Sequence, residues 1–474
     1  MIDGLKPYPA YQKLDLPWVG SIPISWRVER AKWLFRKMDR IVKEGYDVVT
    51  CFRDGTVTLR KNRRLRGFTE SIKEIGYQGV QRGDLVIHAM DGFAGAIGVS
   101  DSDGKCTPVY SVCQPVSDAN SYYYAHVVRE MARTQWIMAL AKGIRERSTD
   151  FRFDMFAAQQ VPLPPRIEQD AIVRFLDHAD RRIRRYIKAK RRLIALLNEQ
   201  KQAIIHRAVT RGLDPKVRLK PFLTEWLSEV PSHWSRVPIK RLLARVDYGT
   251  SDATTETGRV RVLTMGNIQN GEVTDKSAGR LDHVPDDLLL EHHDLLFTRT
   301  NGNPDLVGKI GIYRGTRDDQ VSFASYLVRF RVKKPNNPQW MHLLLSSSSF
   351  WGYAKSFALV NLQTNLNSTR YVQFSIPVPP PKEQAEIVDA VLSQTASLRS
   401  VIARNEDEIE LLREYRTRLI AEVVTGKLDV REAAARLPDE FAEQETLECV
   451  DVLADGDEAS DDADLDAVPE EAEA

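Results

Sequence analysis

At several points of this sequence, side chains that can bind a nucleic acid are grouped together among turn-forming residues. Arginine pairs with guanine, asparagine and glutamine pair with adenine, and lysine and arginine neutralise phosphates. The densest basic cluster is the segment RKNRRLRG, which we interpret as a loop that contacts DNA. Its candidate residues are Arg60, Lys61, Arg63, Arg64 and Arg66. A solvated run of charges is the alternative interpretation, and the sequence leaves it open.

Three segments in the second half of the chain are rich in side-chain amides. The segment TRTNGN follows the strand-like run DLLF, GNIQNG follows the run VRVLTM, and NLQTNLN precedes a proline-rich stretch. An ordinary turn is the alternative interpretation of the Gly-Asn pair in GNIQNG. The candidate DNA-contacting residues in the three segments are Asn267, Gln269, Arg299, Asn301, Asn303, Asn361, Gln363 and Asn365.

Motifs that would give the chain a catalytic activity of its own are missing from the sequence. An adenine methyltransferase must hold a flipped base, which takes an Asn/Asp-Pro-Pro-aromatic turn, but NNPQW at 336–340 lacks the second proline. No G-x-G-x-x-G fingerprint follows a strand-like run, and GNPDLVGKI at 302–310 has Ile310 where a P-loop needs Ser or Thr. The pair His292-His293 has no spacing typical of zinc ligands. We therefore predict no catalytic, cofactor-binding or metal-binding residues.

The formal net charge of +1 hides two unlike parts of the chain. Residues 438–474 contain 16 aspartates and glutamates and no lysine or arginine, which leaves 67 basic against 50 acidic residues elsewhere. Residues 1–437, which we call the basic body, therefore favour a polyanionic partner. The acidic tail cannot bury enough apolar surface to fold, so we expect it to be disordered. It either keeps the protein soluble or competes with DNA for the basic body.

Cysteine usage and hydropathy indicate a soluble protein of a reducing compartment. The four cysteines include no C-x-x-C pair, which favours free thiols over a disulfide framework or a zinc site. No apolar run approaches the roughly 18–20 residues of a membrane span, and the N-terminus lacks the apolar core of a signal peptide. We expect a cytoplasmic protein without a membrane partner.

The chain repeats itself over most of its length. VPLPPRIEQDAIVRFLD at 161–177 matches IPVPPPKEQAEIVDAVL at 376–392 in seven of 17 positions. LLNEQKQAIIHRAVTRGLD at 196–214 matches LLREYRTRLIAEVVTGKLD at 411–429 in eight of 19 positions. Upstream, the segment PWVGSIPISW, with Trp18, Pro23 and Trp26, has its counterpart in EWLSEVPSHW, and we expect the tryptophans of both segments to be core residues. A period this long indicates a duplicated domain rather than a solenoid.

A long helix should follow each proline-rich segment. Proline is favoured in the first turn of a helix, and Glu168 and Glu383 then lie near the positive end of the helix dipole. Each helix of about 42 residues would be roughly 63 Å long. An apolar seam that long needs a partner helix, so we predict that the two pack on each other antiparallel. The first seam comprises Ile172, Leu176, Ala179, Ile183, Tyr186, Leu193, Leu197 and Ile204.

The predicted fold class is α+β. Two similar mixed domains are joined by two long antiparallel helices that form a coiled coil, which gives a pseudo-two-fold internal repeat. The expected segments are a first mixed domain at 1–165, a central helix at 166–212, a second mixed domain at 213–380, a C-terminal helix at 381–432 and the acidic tail at 433–474. Two mixed domains held at a fixed separation would recognise two DNA sites at a fixed separation.

With these motifs in this order, the sequence resembles the specificity subunit of type I restriction–modification systems. The resemblance rests on EWLSEVPSHW, PLPPRIEQDAIVRFLD, AVTRGLDP and IAEVVTGKLDVR, and it covers about residues 11–432. The long acidic tail departs from the family pattern. In that family each mixed domain is a target recognition domain and each helix is a spacer.

The resemblance implies a DNA-binding subunit of a phage-defence system with no catalytic activity of its own. It implies a bipartite double-stranded target of two short half-sites with a fixed gap. It also implies two methyltransferase subunits and restriction–translocase subunits as partners, which would use S-adenosylmethionine, ATP and Mg, whereas this chain needs no cofactor. Two rival interpretations stay open from the residues: an enzyme with a degenerate site, and a scaffold of two protein-binding heads.

Overall fold

The computed structural model describes residues 5–63, 75–116, 118–140, 150–224, 226–274, 278–301, 308–356, 364–365 and 372–438. Helices and strands are mixed throughout, so the predicted α+β class is confirmed. The helices are α1 Ala31–Leu34, α2 Ser121–Arg133, α3 Trp136–Leu140, α4 Phe153–Ala158, α5 Arg166–Arg211, α6 Pro338–Leu345, α7 Ser348–Ser356, α8 Pro381–Val424 and α9 Arg431–Ala435. Single 3₁₀ turns are formed by Arg60–Asn62, Gly92–Ala94, Ile239–Leu242, Met265–Asn267, Asp286–Leu288 and Arg317–Asp319.

The chain divides into two compact units, and each unit contains one end of both long helices. Unit 1 comprises Met1–Lys188 and Ile409–Ala474, and unit 2 comprises Ala189–Glu408. The ends expected for the two mixed domains, 165 and 380, are followed directly by the first residues of α5 and α8. The boundaries of the compact units instead lie inside these helices.

Unit 1 contains a four-stranded sheet in the order β4-β11-β8-β9, together with four two-stranded pairings. All of these strand pairs are antiparallel. The strands are β1 Tyr11–Lys13, β2 Ser21–Pro23, β3 Arg27–Arg30, β4 Phe35–Lys37, β5 Val49–Cys51, β6 Val57–Leu59, β7 Gln78–Val80, β8 Leu85–His88, β9 Ile97–Val99, β10 Gly104–Cys106, β11 Tyr110–Pro115 and β12 Gln160–Leu163.

Unit 2 contains a six-stranded sheet in the order β16-β25-β21-β23-β19-β18 and a three-stranded sheet in the order β20-β17-β24. Its strands are β13 Leu219–Thr224, β14 Leu227–Pro231, β15 Ser235–Pro238, β16 Leu243–Tyr248, β17 Val260–Leu263, β18 Ile268–Gln269, β19 Glu272–Val273, β20 Gly279–Leu281, β21 Leu295–Thr298, β22 Thr300–Asn301, β23 Ile310–Ile312, β24 Val321–Phe323, β25 Leu327–Val332, β26 Thr364–Asn365 and β27 Ser375–Val378.

The sequence repeat is also a repeat of topology. The order β4-β11-β8-β9 in unit 1 corresponds to β16-β25-β21-β23 in unit 2, and the pair β3-β12 corresponds to β15-β27. An aspartate precedes the central strand in each sheet and accepts a hydrogen bond from the backbone three residues earlier. The N–H of Gln81 donates to Asp84 over 2.8 Å, and the N–H of Glu291 donates to Asp294 over 2.8 Å.

Of the four repeated tryptophans, Trp18, Trp26 and Trp234 are buried as expected, whereas Trp226 is partly buried against the core of unit 2. Trp26 and Trp234 are each 1 % exposed, and each lies in the largest apolar cluster of its own unit. Their indole N–H groups both donate to a glutamate at the start of a long helix. Trp26 Nε1 lies 2.8 Å from Glu168, and Trp234 Nε1 lies 3.0 Å from Glu383.

Each of these glutamates has a second donor that tightens the junction between domain and helix. The hydroxyl of Tyr8 donates to Glu168, and burial followed by this hydrogen bond raises the pKa of Tyr8, so the phenol remains protonated. In unit 2 the position of Tyr8 is taken by His233, whose Nε2 lies 2.7 Å from Glu383. Buried hydrogen bonds to a charged partner, such as those to Glu168, contribute about 1.5–3 kcal/mol each. The His233–Glu383 contact contributes less, because the two side chains are 46 % and 22 % exposed.

The glutamine that follows each glutamate is bonded to the proline hinge, which is the proline-rich segment directly before each long helix. Gln169 and Gln384 are fully buried. Gln169 donates to the Pro164 carbonyl over 2.9 Å, and Gln384 donates to the Pro379 carbonyl over 3.0 Å. A proline-rich segment has few N–H groups to satisfy such carbonyls, so the amide supplies the missing donor.

The same glutamines also orient the main helix of each mixed domain. Gln169 Oε1 accepts from the N–H of Asn120, and Gln384 Oε1 accepts from the N–H of Asn337. Asn120 and Asn337 are the N-caps of α2 and α6, and each accepts from the first backbone N–H groups of its helix. We call Glu168-Gln169 and Glu383-Gln384, with these partners, the hinge locks.

The other end of each long helix also meets a hinge lock. Helix α8 ends at Val424, two residues before Gly426. The φ of Gly426, 73°, favours glycine, and a Cβ there would lie 2.9 Å from the Trp26 ring and overlap Pro23. Helix α5 ends at Gly212, whose φ is 71° and whose added Cβ would lie 3.3 Å from Glu383. In each unit the start of one long helix therefore lies beside the end of the other.

Within each unit the long helices run antiparallel. In unit 1, Asp180 on α5 pairs with Arg416 on α8, twelve residues forward from Glu168 and ten residues back from Gly426. In unit 2, Lys190 pairs with Glu408, and its Nζ lies 3.2 Å from Asn405 Oδ1. The predicted antiparallel packing is thus confirmed inside each unit.

The apolar seam predicted for α5 is interrupted in its middle. Ile172, Ala179 and Ile183 are buried, but Tyr186 is 52 % exposed and Leu193 is 42 % exposed. A straight α-helix drifts by about 20° per heptad relative to a strict seven-residue repeat. Positions that follow such a repeat therefore rotate out of the interface after two or three heptads.

We predict that Trp26→Phe destabilises the protein more than Trp18→Phe does. The first change removes a donor from the buried Glu168, which costs about 1–3 kcal/mol. The indole Nε1 of Trp18 is also buried but has no hydrogen-bond partner among the described residues, so Trp18→Phe controls for the loss of ring volume. Urea unfolding gives both free energies, and equal losses would contradict the role assigned to the hinge lock.

The glycine at the end of α8 gives a second prediction. Gly426→Ala should lower the free energy of unfolding by more than Gly20→Ala. Both glycines have positive φ, 73° and 77°, but only Gly426 is crowded, by Pro23 and Trp26, whereas nothing lies within 4 Å of a Cβ at Gly20. The left-handed conformation alone costs an alanine about 1 kcal/mol. Thermal unfolding compares the two variants, and a larger loss for Gly20→Ala would refute this account.

Candidate nucleic-acid interface

The basic cluster predicted in the first half begins where the hairpin β5–β6 ends. Arg60 and Lys61 lie in the 3₁₀ turn after β6, and Arg63 follows it. Gly55 at the tip of the hairpin has a φ of 90°, which allows the tight return of the chain. Arg64 and Arg66 lie outside the described residues. The structure therefore places three of the five predicted contacts together at the end of one hairpin.

Each of these three side chains has a partner in the same unit. Arg60 Nε donates to Thr50 Oγ1 over 3.1 Å, and Lys61 pairs with Asp47. The hydrogen bond from Lys61 and its charge lower the pKa of Asp47. Because such pairs are exposed and weak, a DNA phosphate can replace the carboxylate beside Lys61 at little cost.

Arg63 is held more firmly than its neighbours. Its Nη1 lies 2.6 Å from Asp54 Oδ2, and its guanidinium lies over the Phe52 ring at 4.6 Å from the centroid. Burial raises the pKa of Asp54, but the hydrogen bonds from Thr56 and Arg63 outweigh it, so the net effect lowers this pKa. These contacts position Arg63 as part of the hairpin, and its predicted DNA contact stays a prediction.

The amide segment at 266–271 proves to be a structured turn in unit 2. Asn267 is 4 % exposed, and its side chain accepts from the backbone N–H of Thr264 over 2.8 Å in a capping box. Gln269 is exposed on β18, at the edge of the six-stranded sheet, and donates to the Gly266 carbonyl over 3.2 Å. The structure thus gives Asn267 a role in the turn itself, while Gln269 presents its amide at the surface.

Arg299 follows the central strand β21 and lies among aromatic residues. Its guanidinium lies over the ring of Tyr248 at 5.0 Å from the centroid, and its backbone N–H donates to the Tyr326 carbonyl over 2.9 Å. Tyr248 is 39 % exposed and Tyr326 is 37 % exposed. A guanidinium stacked on a tyrosine keeps its donors available at the edge, which suits contact with a guanine or a phosphate.

Two candidate segments that are far apart in sequence meet beside Arg299. Strand β22 pairs antiparallel with β26, so that Asn301 lies opposite Thr364 and Asn365 lies opposite Thr300. This ladder brings the segments at 298–303 and 361–367 together in unit 2. Asn303, Asn361 and Gln363 lie outside the described residues. We call Arg299, Tyr248, Tyr326 and the β22–β26 ladder the Arg299 cluster.

The two tyrosines of the Arg299 cluster were not among the residues predicted from sequence. Tyr248 is the last residue of β16 and Tyr326 immediately precedes β25. Nothing in the spacing of the sequence links them to Arg299, because their proximity arises from the pairing of β16 and β21 with β25. An aromatic residue at the end of a strand is the only local signal.

The NNPQW segment and the described cysteines have structural roles or are buried. The segment NNPQW forms the start of α6, where Asn337 caps the helix and Pro338 occupies its first position. Cys51, Cys106 and Cys113 are buried, and burial raises the pKa of the Cys106 thiol to about 12, so that it is not a nucleophile at neutral pH. Among the described residues no group of three or more His, Cys, Asp or Glu side chains could hold a metal ion. Nor is any helix in the described ranges long and apolar enough to cross a bilayer.

Comparison with known proteins adds to this geometry. The chain is 23% identical over 330 residues to the type I restriction enzyme EcoKI specificity subunit of Escherichia coli (strain K12), which covers 67% of this chain and 68% of that protein. It is 25% identical over 215 residues to the type I restriction enzyme StySPI specificity subunit of Salmonella potsdam, which covers 42% and 44%. The chain is a homologue of type I restriction enzyme specificity subunits. No family model matches the sequence.

Comparison with a solved structure shows that the chain also has a known fold. A chain from a structure of complex assembly and conformational transition of the type I R-M system superposes with a TM-score of 0.58 at 14% identity. The superposition covers 85% of this protein and 98% of the chain in the solved structure. The resemblance inferred from the repeated motifs is therefore confirmed by both sequence and fold.

We predict that Arg299→Ala weakens the binding of this chain to its DNA target by about 1–3 kcal/mol, roughly 5- to 150-fold. One arginine contact with a base contributes a free energy of this size. Arg314→Ala is the matched control, since Arg314 is an exposed arginine of unit 2 that pairs with Glu272. Anisotropy titrations on a duplex with the target mapped by methylome sequencing measure both. An equal loss in the two variants would show that charge alone, and not the Arg299 cluster, matters.

Proposed function

We propose that this chain is the DNA sequence-recognition subunit of a type I restriction–modification complex. The observation that carries the proposal is the duplicated mixed domain, each copy tied to the long helices by its own hinge lock, in a homologue of specificity subunits. Arg60, Lys61 and Arg63 after the hairpin β5–β6 form the hairpin cluster of unit 1. This cluster and the Arg299 cluster of unit 2 supply basic and amide groups of the kind that bind bases and phosphates of DNA. The predicted DNA contacts of individual residues remain part of this proposal.

The duplication supports a bipartite target. Each mixed domain reads one short half-site, and the two long helices connect the readers so that the gap between half-sites is fixed. Because every hinge lock is made of residues outside the loops that would face DNA, one domain can change its sequence preference without changing the other. The domain division into two target recognition domains, two spacer helices and a tail belongs to the same proposal.

The chemistry belongs to partner subunits in this proposal. Two methyltransferase subunits and the restriction–translocase subunits dock on the chain, and they use S-adenosylmethionine, ATP and Mg. Several apolar residues on the long helices are exposed and provide surface for such docking: Tyr186, Leu193, Leu196, Val401 and Leu411. Exposed apolar side chains on otherwise charged helices are typical of protein–protein contact.

Exchange of one mixed domain tests the proposal. Residues 27–160 are replaced by the matching region of a relative with a different target, so that Trp26 and the hinge lock residues Glu168 and Gln169 stay in place. We expect the first half-site of the target to change, while the second half-site and the gap stay as they were. The readout is the methylome of cells that carry the partner subunits and the chimaera.

The reciprocal exchange of residues 235–374 is the matched control, because it leaves Trp234 and Glu383 in place. It should change only the other half-site. A chimaera that alters both half-sites at once would contradict independent reading by two domains. A parent chain with no salt-sensitive affinity for DNA would instead favour a scaffold of two protein-binding heads, since phosphate contacts always depend on salt.

A further inference from the structure

One face of helix α5 in unit 1 carries a row of basic side chains. Arg174, Arg181, Arg185 and Lys188 are spaced by seven, four and three residues, which places them on the same side of an α-helix. Arg181, Arg185 and Lys188 are exposed. The opposite side of the helix is the buried one, with Ile172, Leu176 and Ala179 in the core of unit 1 and Ile183 also buried. We call the four basic residues the basic stripe.

The charges around the basic stripe leave it positive. Between Arg174 and Lys188 the helix has six basic residues and only two acidic ones, Asp177 and Asp180. Asp180 pairs with Arg416 of α8 and with Arg184. Asp177 is exposed and lies on the same side as the stripe. The stretch therefore has a formal surplus of four positive charges on the surface of a single helix.

The described part of the chain ends on this stripe. After α9 the backbone reaches Arg174, whose Nη2 donates to the carbonyl of Leu437 over 2.9 Å and to the carbonyl of Pro438 over 3.0 Å. All of these residues belong to unit 1. The next residue, Asp439, begins the acidic segment 439–474, which contains 16 acidic residues and no basic one. The backbone that leads directly into the most acidic segment of the chain is therefore hydrogen-bonded to Arg174, the first residue of the basic stripe.

The acidic segment is long enough to cover the stripe. Lys188 lies fourteen residues beyond Arg174, or about 21 Å along the helix at 1.5 Å per residue. The eleven residues from Asp439 to Cys449 span up to roughly 36 Å when extended. Five of those eleven residues are acidic. Length, starting point and charge therefore all match the stripe.

We propose that the acidic C-terminal segment 439–474 docks on the basic stripe of its own chain and keeps other polyanions away from it. The docking is intramolecular, so the local concentration of carboxylates at the stripe is high, in the millimolar range for a short tether. The contact does not depend on the proposed function. Its consequence, which is weaker binding of nonspecific DNA to this helix, rests on the proposed function.

Cross-linking from Cys449 tests the docking in the full chain. The other three cysteines are buried, so a thiol–amine cross-linker reacts selectively at Cys449. We expect mass spectrometry to find adducts mainly at Lys188 at low salt and a loss of several-fold at about 0.5 M salt, where the Debye length is only a few ångströms. Equal yields at Lys188 and at the exposed Lys32 and Lys37 would overturn the proposal.

A pair of charge-reversal variants separates the stripe from general charge effects. Arg181→Glu with Arg185→Glu should reduce the Lys188 adduct at least tenfold. Arg27→Glu with Arg30→Glu makes the same charge change on β3, which is also exposed in unit 1, and should leave the adduct unchanged. Both variants are checked by thermal unfolding, and since all four side chains are charged and at the surface, folding should persist. Loss of the adduct in both variants would refute docking at the stripe.

Nonspecific DNA supplies the last arm of the test. A chain truncated after Pro438 should bind a duplex without the target several-fold more tightly than the full chain at low salt. The reversal Arg181→Glu with Arg185→Glu should abolish this difference between truncated and full chains. If truncation has no effect although DNA binds the stripe, DNA rather than the tail is its partner and the proposal fails. If no target-specific DNA binding exists but the Lys188 adduct forms, the proposed function fails and the docking stands.

Discussion

A hydrogen-bonded carboxylate and a buried amide at the start of each long helix hold the rest of the molecule in place. Glu168 is 4 % exposed, so its charge is removed from water and must be compensated by donors from the protein. Trp26 and Tyr8 supply those donors, and both come from the chain that leads into the mixed domain. The buried charge therefore forces the beginning of the domain, its proline hinge and the helix to meet at one point.

The second unit has the same type of junction with one different residue, and its carboxylate is less buried, since the Glu383 side chain is 22 % exposed. His233 replaces Tyr8, while Trp234, Glu383 and Gln384 keep the positions of their counterparts. The sheets have diverged further. In unit 1 Arg40 binds Asp84, whereas in unit 2 Asp294 binds Arg331 and lies near Arg329, which is fully buried and also pairs with Asp247. The junctions with the helices have thus changed less than the domains they hold.

The residues that join the domains to the helices are separate from the residues proposed to contact DNA. Such a chain can therefore change its recognition surface without losing its fold. The Arg299 cluster and the hairpin cluster contain no member of either hinge lock. Substitutions there change exposed or half-buried side chains, whose effect on the free energy of folding is smaller than that of a substitution in a lock, which leaves a polar group without its partner. The same logic applies to the charges of α5, which has 13 basic and five acidic residues, whereas α8 has six basic and nine acidic ones. Part of the positive charge on α5 lies at the surface, as at Arg181, Arg185 and Lys188.

The sequence by itself determined the duplication, the α+β class, the start of both long helices and their antiparallel packing within each unit. These features depend on local periodicity and on the proline and glutamate signals at helix starts, which are readable along the chain. The sequence could not show what the repeated Glu-Gln pair does, because Trp26 and Asn120 lie 142 and 49 residues from their partners. It also could not exclude Asn267 from the surface or join 298–303 to 361–367. Burial and strand pairing decide those points, and both are set by contacts between residues distant in sequence. The heptad seam failed at Tyr186 and Leu193 for a related reason, since the true period of 3.6 residues, and not the pattern of seven, fixes which side chains face a partner.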